Sequence, residues 1–433
     1  MASKSFVRNE LMDQSAPPVA STGVLGWLRA NLFGTWMNSV LTVVSLALIF
    51  LVLREVFPWM VRSSWTATSL KECREAIDLT WGDHVDGACW AVIRERYLQL
   101  LYGFYPAEHY WRANLAFVLL LVGMAPILFP AVPRQVLWFS AAFPFLCFWL
   151  LWGGSVWLPI AAALGFVIGY YAFLAVGTIA GQLSGIVAAL LVPVIWWIWL
   201  AAPFSEVLDG ILGIGLEPVE SAKFGGFMLS VTIGITGIAL SLPIGVLLAL
   251  GRQSNLLILK SLCVGFIEFI RGVPLITLLF VASTLLNIFM PPGTNFDIIL
   301  RVVIMVTLFS SAYMAEIIRG GLAALPRGQY EAADSLGLDY WKSQRLVIMP
   351  QALKISIPAI VGNFIGLFKD TTLVSIIGLL DPIGLTNNIR ADVDWNGIVW
   401  ELYGFIAFMF FVFCFLMSRY SMYLERKLNT EHR

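Results

Sequence analysis

Charge is scarce in this sequence: only 12% of the 433 residues are Asp, Glu, Lys or Arg, and 27 basic side chains balance 27 acidic ones. With 59% hydrophobic residues, 17 Trp and 30 Phe, the chain has too much apolar surface for a water-soluble fold. Its zero net charge offers nucleic acid no electrostatic footprint. Histidine is scarcer still. His84, His109 and His432 fall in loops or the tail, with no His-Glu-x-x-His pair and no Ser-His option inside an apolar run. That speaks against an intramembrane enzyme and leaves no metal-ligand set. No Gly-x-x-x-x-Gly-Lys-Ser/Thr run occurs, so the chain has no phosphate loop with which to cradle ATP. A cleavable leader is not expected, because the first apolar run begins near Met37 without a small-residue cleavage site after it. No internal repeat or low-complexity tract stands out.

What is present is a series of long apolar segments. Spans are expected near 37–57, 113–131, 136–152, 156–176, 183–202, 225–250, 257–290, 298–318, 350–378 and 399–420, an all-α polytopic membrane protein of about ten helices. Two of these exceed the roughly twenty residues of a straight span, so tilt, kinks at Pro274 and Pro358, or partial re-entry must absorb the excess. With the N-terminus (Lys4, Arg8, Arg29) inside, ten spans place Arg134, Arg252, Lys260, Arg319, Arg327, Lys342, Arg345, Arg426, Lys427 and Arg433 on the cytoplasmic side. Both termini are then cytoplasmic. The loop 58–112 falls outside; it carries Arg62, Lys71, Arg74, Arg94 and Arg96 among its acidic residues, and the turn at 177–182 carries no charge, so the count within 136–202 is open by two. Cys147, Cys263 and Cys414 lie in apolar segments as small packing groups, whereas Cys73 and Cys89 share the outer loop, where a disulfide is possible.

Between two apolar segments lies a polar insert, Glu331-Ala332-Ala333-Asp334-Ser335-Leu336-Gly337, then nine residues, then Val347-Ile348-Met349-Pro350. Pro326 and Gly328 break what precedes it, Gln329 to Leu336 make about two helical turns, and Gly337 supplies a permissive C-terminal position. Asp339 is placed to cap a second helix, which Pro350 would end. Tyr330, Ala333 and Leu336 repeat at three-residue spacing on one side of the first helix, while the acidic Glu331 and Asp334 lie on another.

This insert resembles the "EAA" loop of ABC importer permeases, which docks into an ATPase, with Val347 and Met349 standing for the family's Ile and Leu. The stretches Glu268-Phe269-Ile270-Arg271-Gly272-Val273-Pro274-Leu275, Ala315-Glu316-Ile317-Ile318-Arg319-Gly320-Gly321-Leu322 and Lys369-Asp370-Thr371-Thr372-Leu373 resemble the polar amino-acid branch of that family. The resemblance covers roughly Lys223 to Glu425. It implies a five-helix permease core at 223–433 with a cytoplasmic coupling loop at 319–349. Residues 1–222 would be an accessory membrane region of about five helices, either a plain scaffold or a partner-binding addition. It further implies a bacterial inner-membrane subunit that is not itself an enzyme and holds no cofactor. ATP and Mg²⁺ would sit on a separate ATPase dimer, and the other partners would be a second, related permease chain, an extracytoplasmic amino-acid-binding protein and membrane lipid. The substrates implied are polar L-amino acids of the glutamate, glutamine, aspartate and asparagine kind or a broad range; the alternative is a secondary transporter or channel, which has no use for a docking helix.

Coupling is expected from Glu331, Ala332, Ala333 and Gly337, with Tyr330 and Leu336 as buried anchors. Polar and charged groups beside the spans give the substrate pathway or gate: Glu268, Arg271, Ser310, Ser311, Tyr313, Glu316, Arg319, Lys369, Asp370, Thr371 and Thr372. Each has a plainer reading. Glu268 and Arg271 are placed to pair on one helix face, Glu316 and Arg319 to pair at a helix end, and Lys369-Asp370 to neutralise each other at a helix break. The segment Asp381 to Trp395 reads as an external re-entrant loop.

Overall fold

The computed structural model describes residues 23–289 and 297–428; Lys4, Arg8, His432 and Arg433, and with them the termini themselves, lie outside the described residues. The helices are α1 (Gly23–Asn31), α2 (Trp36–Val61), α3 (Leu70–Trp81), α4 (Ala91–Tyr102), α5 (Tyr110–Leu128), α6 (Leu137–Trp152), α7 (Trp157–Ala180), α8 (Gln182–Ile195) and α9 (Ala201–Ile211). After them come α10 (Gly226–Gln253), α11 (Leu257–Gly272), α12 (Leu275–Phe289), α13 (Ile298–Ala323), α14 (Arg327–Ser335), α15 (Tyr340–Ser343), α16 (Met349–Asp370), α17 (Pro382–Ala391) and α18 (Trp400–Leu428). Two short strands, β1 (Gly154–Ser155) and β2 (Gly215–Leu216), pair antiparallel. The protein is an all-α polytopic membrane protein. Among the described residues nine helices are long and apolar enough to cross a membrane, and α11–α12, bent by 100° at Val273–Pro274, makes a tenth if it is one broken span. Proline explains the break, since it cannot donate to the preceding turn and pushes the residue before it out of the helical region.

The chain packs as two compact units, Met1–Ala91 and Val92–Arg433. In the first, α2 buries none of its residues, so its apolar surface is left for lipid or other chains. Beyond it, Cys73 is bonded to Cys89. Ser64 and Ala88 pair through the backbone at 3.1 Å, and Trp90 stacks on Trp65 at 6.0 Å and meets Trp59 edge-on at 5.8 Å. The outer loop thus contains two ordered helical pieces rather than open coil.

The second unit carries no break near 222, where the sequence suggests a boundary. Phe224 is buried between Trp152, stacked at 4.5 Å, and Tyr105, edge-on at 5.3 Å. Trp152 donates to Ser221 at 2.7 Å, and Tyr105 donates to the Leu151 carbonyl at 2.7 Å. One apolar core therefore runs from Ala113, Ala116 and Leu150 to Leu229, Val306 and Leu367. Burying large aromatics on both sides of 222 joins α6 and the turn after α4 to the start of α10. Backbone pairings between Gly103 and Phe224 and between Gly225 and Leu380, with the Gly226 amide on the Leu380 carbonyl at 2.8 Å, gather one end of this bundle. At the opposite end Tyr420 donates its hydroxyl to the Leu128 carbonyl, and α10 and α13 finish close to α14 and α15.

The segment 381–395 is not a bare loop: Asp381 accepts the amides of Ile383 at 3.1 Å and Gly384 at 3.0 Å and so caps α17, with Pro382 in the first turn. Its carboxyl is fully buried, and that burial pushes its pKa up to about 6 against the two stabilising amides.

Gly103 has φ of +69°, and a Cβ there would lie 2.4 Å from the Gly225 backbone. Gly103→Ala therefore forces a left-handed alanine into main chain, at a cost of about 2 kcal/mol or more; thermal unfolding in detergent should show a clearly lower midpoint, and an unchanged midpoint would refute the contact. For Asp381 the raised folded pKa means that its contribution is most favourable below the ordinary carboxyl range near 4 and is lost as pH rises through about 6. Asp381→Asn should flatten the stability profile between pH 4 and 7, and at pH 8 should be at least as stable as the parent, the difference being on the order of 3 kcal/mol at most.

Candidate functional site

The EAA insert forms α14 and α15 at the bundle end where α10 and α13 finish. The first helix stops because Gly337 takes φ of +69°, with its amide on the Asp334 carbonyl at 2.9 Å and the Leu338 amide on the Ala333 carbonyl at 3.2 Å. Asp339 then accepts the Lys342 amide at 2.9 Å, while the Lys342 ammonium lies 2.9 Å away; both hold its carboxyl below the usual range. Ala333 is buried, and Tyr330 packs against Leu322, Leu325 and Ile348 at the base of the core. Glu331 and Ala332 face outward.

Two expectations need correction here. Leu336 is no buried anchor but 76% exposed, because it is the C-cap, where the chain turns away through Gly337 and its side chain no longer lies over the packed face. Pro350 does not end the second helix. A π-turn at Gln344–Ile348 joins α15 to α16, and Pro350 follows it inside continuous helix, where the widened turn accommodates the ring and the missing amide. The two short elements and the span form one helical rod from Tyr340 to Asp370.

Immediately inside this end lies a cluster of five charges from three helices. Glu316 accepts from Arg319 at 2.8 Å, lies 3.4 Å from Arg252 and 4.0 Å from Arg271, and Arg252 also binds Glu268 at 2.9 Å. The pairing of Glu268 with Arg271 suggested by their spacing is absent: each reaches across to another helix, since α11 lies against the ends of α10 and α13 and offers closer partners there than along its own face. Arg271 also lies over the Tyr313 ring, 5.5 Å from its centre. Three cations and two anions leave a surplus positive charge.

Next to Tyr313 begins a groove of about 330 Å³ between α13 and α16, lined by Phe309, Ser310, Tyr313, Gly362, Asn363, Gly366, Leu367 and Asp370. Asn363 donates to Ser310 at 2.9 Å, and Asp370 puts a carboxylate on the wall. The structure thus joins Ser310, Tyr313 and Asp370 in one cavity and leaves other sequence candidates out of it. Ser311 is turned into the packing of α13 against α10, donating to the Thr307 carbonyl at 2.6 Å. Thr371 and Thr372 spend their hydroxyls on the carbonyls of Phe368 and Lys369 at 2.7 and 2.8 Å where α16 tightens into a 3₁₀ turn, and Lys369 is exposed. Asn363 was missed by the sequence reading; a lone polar residue in an apolar span was its signal. Gly362 and Gly366, four apart and with open space where a Cβ would lie, are what hollow out the groove.

Comparison with known proteins matches residues 241–430 to the family of binding-protein-dependent transport system inner membrane components. The chain is 54% identical, over the whole of both chains, to the glutamate/glutamine/aspartate/asparagine transport system permease protein BztC of Rhodobacter capsulatus. It is 39% identical to the inner membrane amino-acid ABC transporter permease protein YhdY of Escherichia coli, over 95% of this chain and 94% of that one. Among solved structures, the crystal structure of an amino acid ABC transporter with histidines is 32% identical, covering 46% of this chain and 91% of that one at a TM-score of 0.42. With the relatives aligned from end to end and the matched region spanning both the coupling helices and the groove, the chain belongs to the binding-protein-dependent transport system inner membrane component family.

Proposed function

We propose that the chain is the transmembrane permease of an ATP-driven, binding-protein-dependent importer of polar L-amino acids, with glutamate, glutamine, aspartate and asparagine as its substrate class. The observation that carries this reading is the full-length likeness to a permease of that specificity, joined to a docking helix whose acidic face points out of the fold. ATP and Mg²⁺ belong to a separate ATPase dimer that grips α14 and α15. A second permease chain completes the pore, and an extracytoplasmic binding protein delivers substrate.

The groove between α13 and α16 is the path in this chain. Asp370 meets the substrate ammonium, while Ser310, Asn363 and Tyr313 supply neutral hydrogen-bond groups, so a zwitterion exchanges its water for fixed partners. The Glu316 cluster closes the path at the ATPase end, and the rod from Tyr340 to Asp370 carries motion from the docking surface to the groove wall. Two features support the proposed orientation. Basic residues such as Arg252, Arg319, Arg327 and Arg345 gather at the end bearing α14, the signature of a cytoplasmic face. A Cys73–Cys89 bond suits an oxidising compartment, which supports the reading of that loop as external and of the N-terminus as cytoplasmic.

In the complete importer, Glu331→Lys and, separately, Gly337→Asp should reduce amino-acid uptake to background while the chain remains in the membrane at parental levels; normal uptake in both variants would end the coupling assignment. Asp370→Asn should leave the ATPase bound but lower uptake by about ten-fold or more, the worth of one charge-assisted hydrogen bond. Uptake within two-fold of the parent would move the path elsewhere.

A further inference from the structure

Where α5 begins, the chain that leaves β2 returns to meet it. His109 ends a single 3₁₀ turn, Ala107–His109, with its amide on the Pro106 carbonyl at 3.0 Å, and it is buried. Its Nε2 lies 3.2 Å from a carboxylate oxygen of Glu217. Glu108 brings a second carboxylate, and the candidate ligand atoms of Glu108, His109 and Glu217 all lie within 4.8 Å of one another. The backbone around Glu217 is fixed on several sides. Buried Arg112 donates to the Glu217 carbonyl at 2.7 Å, and the Val219 amide donates to the Trp152 carbonyl at 2.8 Å. The Glu217 carbonyl also passes so close to Gly153 that a Cβ there would lie 2.2 Å from it. Among the described residues no Lys or Arg forms an ion pair with either carboxylate, since Arg112 spends its donor on the main chain. No set of this kind is visible in the sequence, because folding rather than spacing brings Glu217 to His109.

We propose that Glu108, His109 and Glu217 bind a divalent metal ion of the zinc class. Zinc holds imidazole nitrogen and carboxylate oxygen at about 2.0–2.2 Å, which sets neighbouring donors of a tetrahedral site roughly 3.3–3.5 Å apart. The 3.2 Å between His109 and Glu217 is close to that edge, and the exposed Glu108 side chain has the freedom to complete a third corner, with water at the fourth. Two carboxylates so near each other repel, and the histidine is the one basic side chain paired with them. A divalent cation turns that repulsion into ligation. The imidazole sets the class of metal, because calcium and magnesium take oxygen donors whereas zinc accepts nitrogen and oxygen together. The burial of His109 and the pinned Glu217 backbone leave little to be ordered on binding, and the exposed carboxylates give the ion a path from solvent. Arg112 is a positioning residue that holds Glu217 by its main chain and leaves the carboxylate to the metal. The bound ion ties the turn before α5 to the segment that leads into α10.

The test is a zinc titration of the complete importer, purified in mild detergent without a polyhistidine tag, stripped with a chelator, and read by competition with a chromophoric zinc indicator and by X-ray absorption at the zinc edge. The parent should hold one more zinc per copy of this chain than the His109→Gln importer retains, and its spectrum should show an imidazole that the variant lacks. Glu217→Gln should weaken binding by at least about ten-fold. Glu108→Gln changes an exposed side chain outside the packing of α5, so it should fold as the parent does and still weaken binding by about ten-fold. The proposal falls if the parent takes up no such zinc, or if His109→Gln binds it with the parent's affinity and spectrum. An unaltered affinity in Glu108→Gln overturns the three-ligand set, and displacement of zinc by calcium at equal concentration overturns the choice of metal.

Discussion

Glu316 is the group on which the end of the bundle bearing α14 and α15 turns. It sits on α13, largely withdrawn from water, and three guanidinium groups converge on it from α10, α11 and α13 itself. Removing this carboxylate would leave three partly exposed cations facing one another without their shared counter-charge. The convergence also dictates shape. To bring Arg271 and Glu268 to the ends of α10 and α13, α11 must lie across them, and the chain must then turn through 100° at Val273–Pro274 before α12 can cross the membrane. The amphipathic character of α11 follows from that placement: Ile267 and Ile270 are buried while Leu257, Leu262 and Phe269 remain exposed. One shared carboxylate therefore fixes a helix crossing, a broken span and the position of the cation that lies over Tyr313.

At the other end the ordering force is apolar. Trp152, Tyr105 and Phe224 lock the accessory helices against the start of α10, and Arg96 reaches Asp392 next to α17. The part of the accessory region from Val92 onward is thus built into the end of the core where Gly225 pairs with Leu380. Any opening there has to carry these contacts along or break them.

Much of this was legible in the sequence because it depends on local chemistry. Gly337, Asp339 and Pro274 act through backbone geometry within a few residues, so their roles as turn, cap and break could be read from spacing alone. Apolar length likewise marks the spans. What could not be read is which partner a side chain chooses once helices pack. Glu268 and Arg271 satisfy helical spacing for a pair yet find better partners on α10 and α13. Ser310 and Ser311 are neighbours in the chain, but the helical turn sends one into the groove and the other into the α10 contact. Leu336 shares a face with Ala333 only while the helix lasts, and the helix stops one residue before it.

The π-turn at Gln344–Ile348 replaces an expected joint with a splice. From the Asp339 cap to Asp370 the chain is helical without a gap, about 45 Å of rod at the usual rise per residue. A hinge would let the docking surface swing while the span stood still. A continuous helix couples the two more closely, and the π-turn, Pro350 and Pro358 mark where it can bend. The lever arm is the helix itself, and the groove lies along its working end.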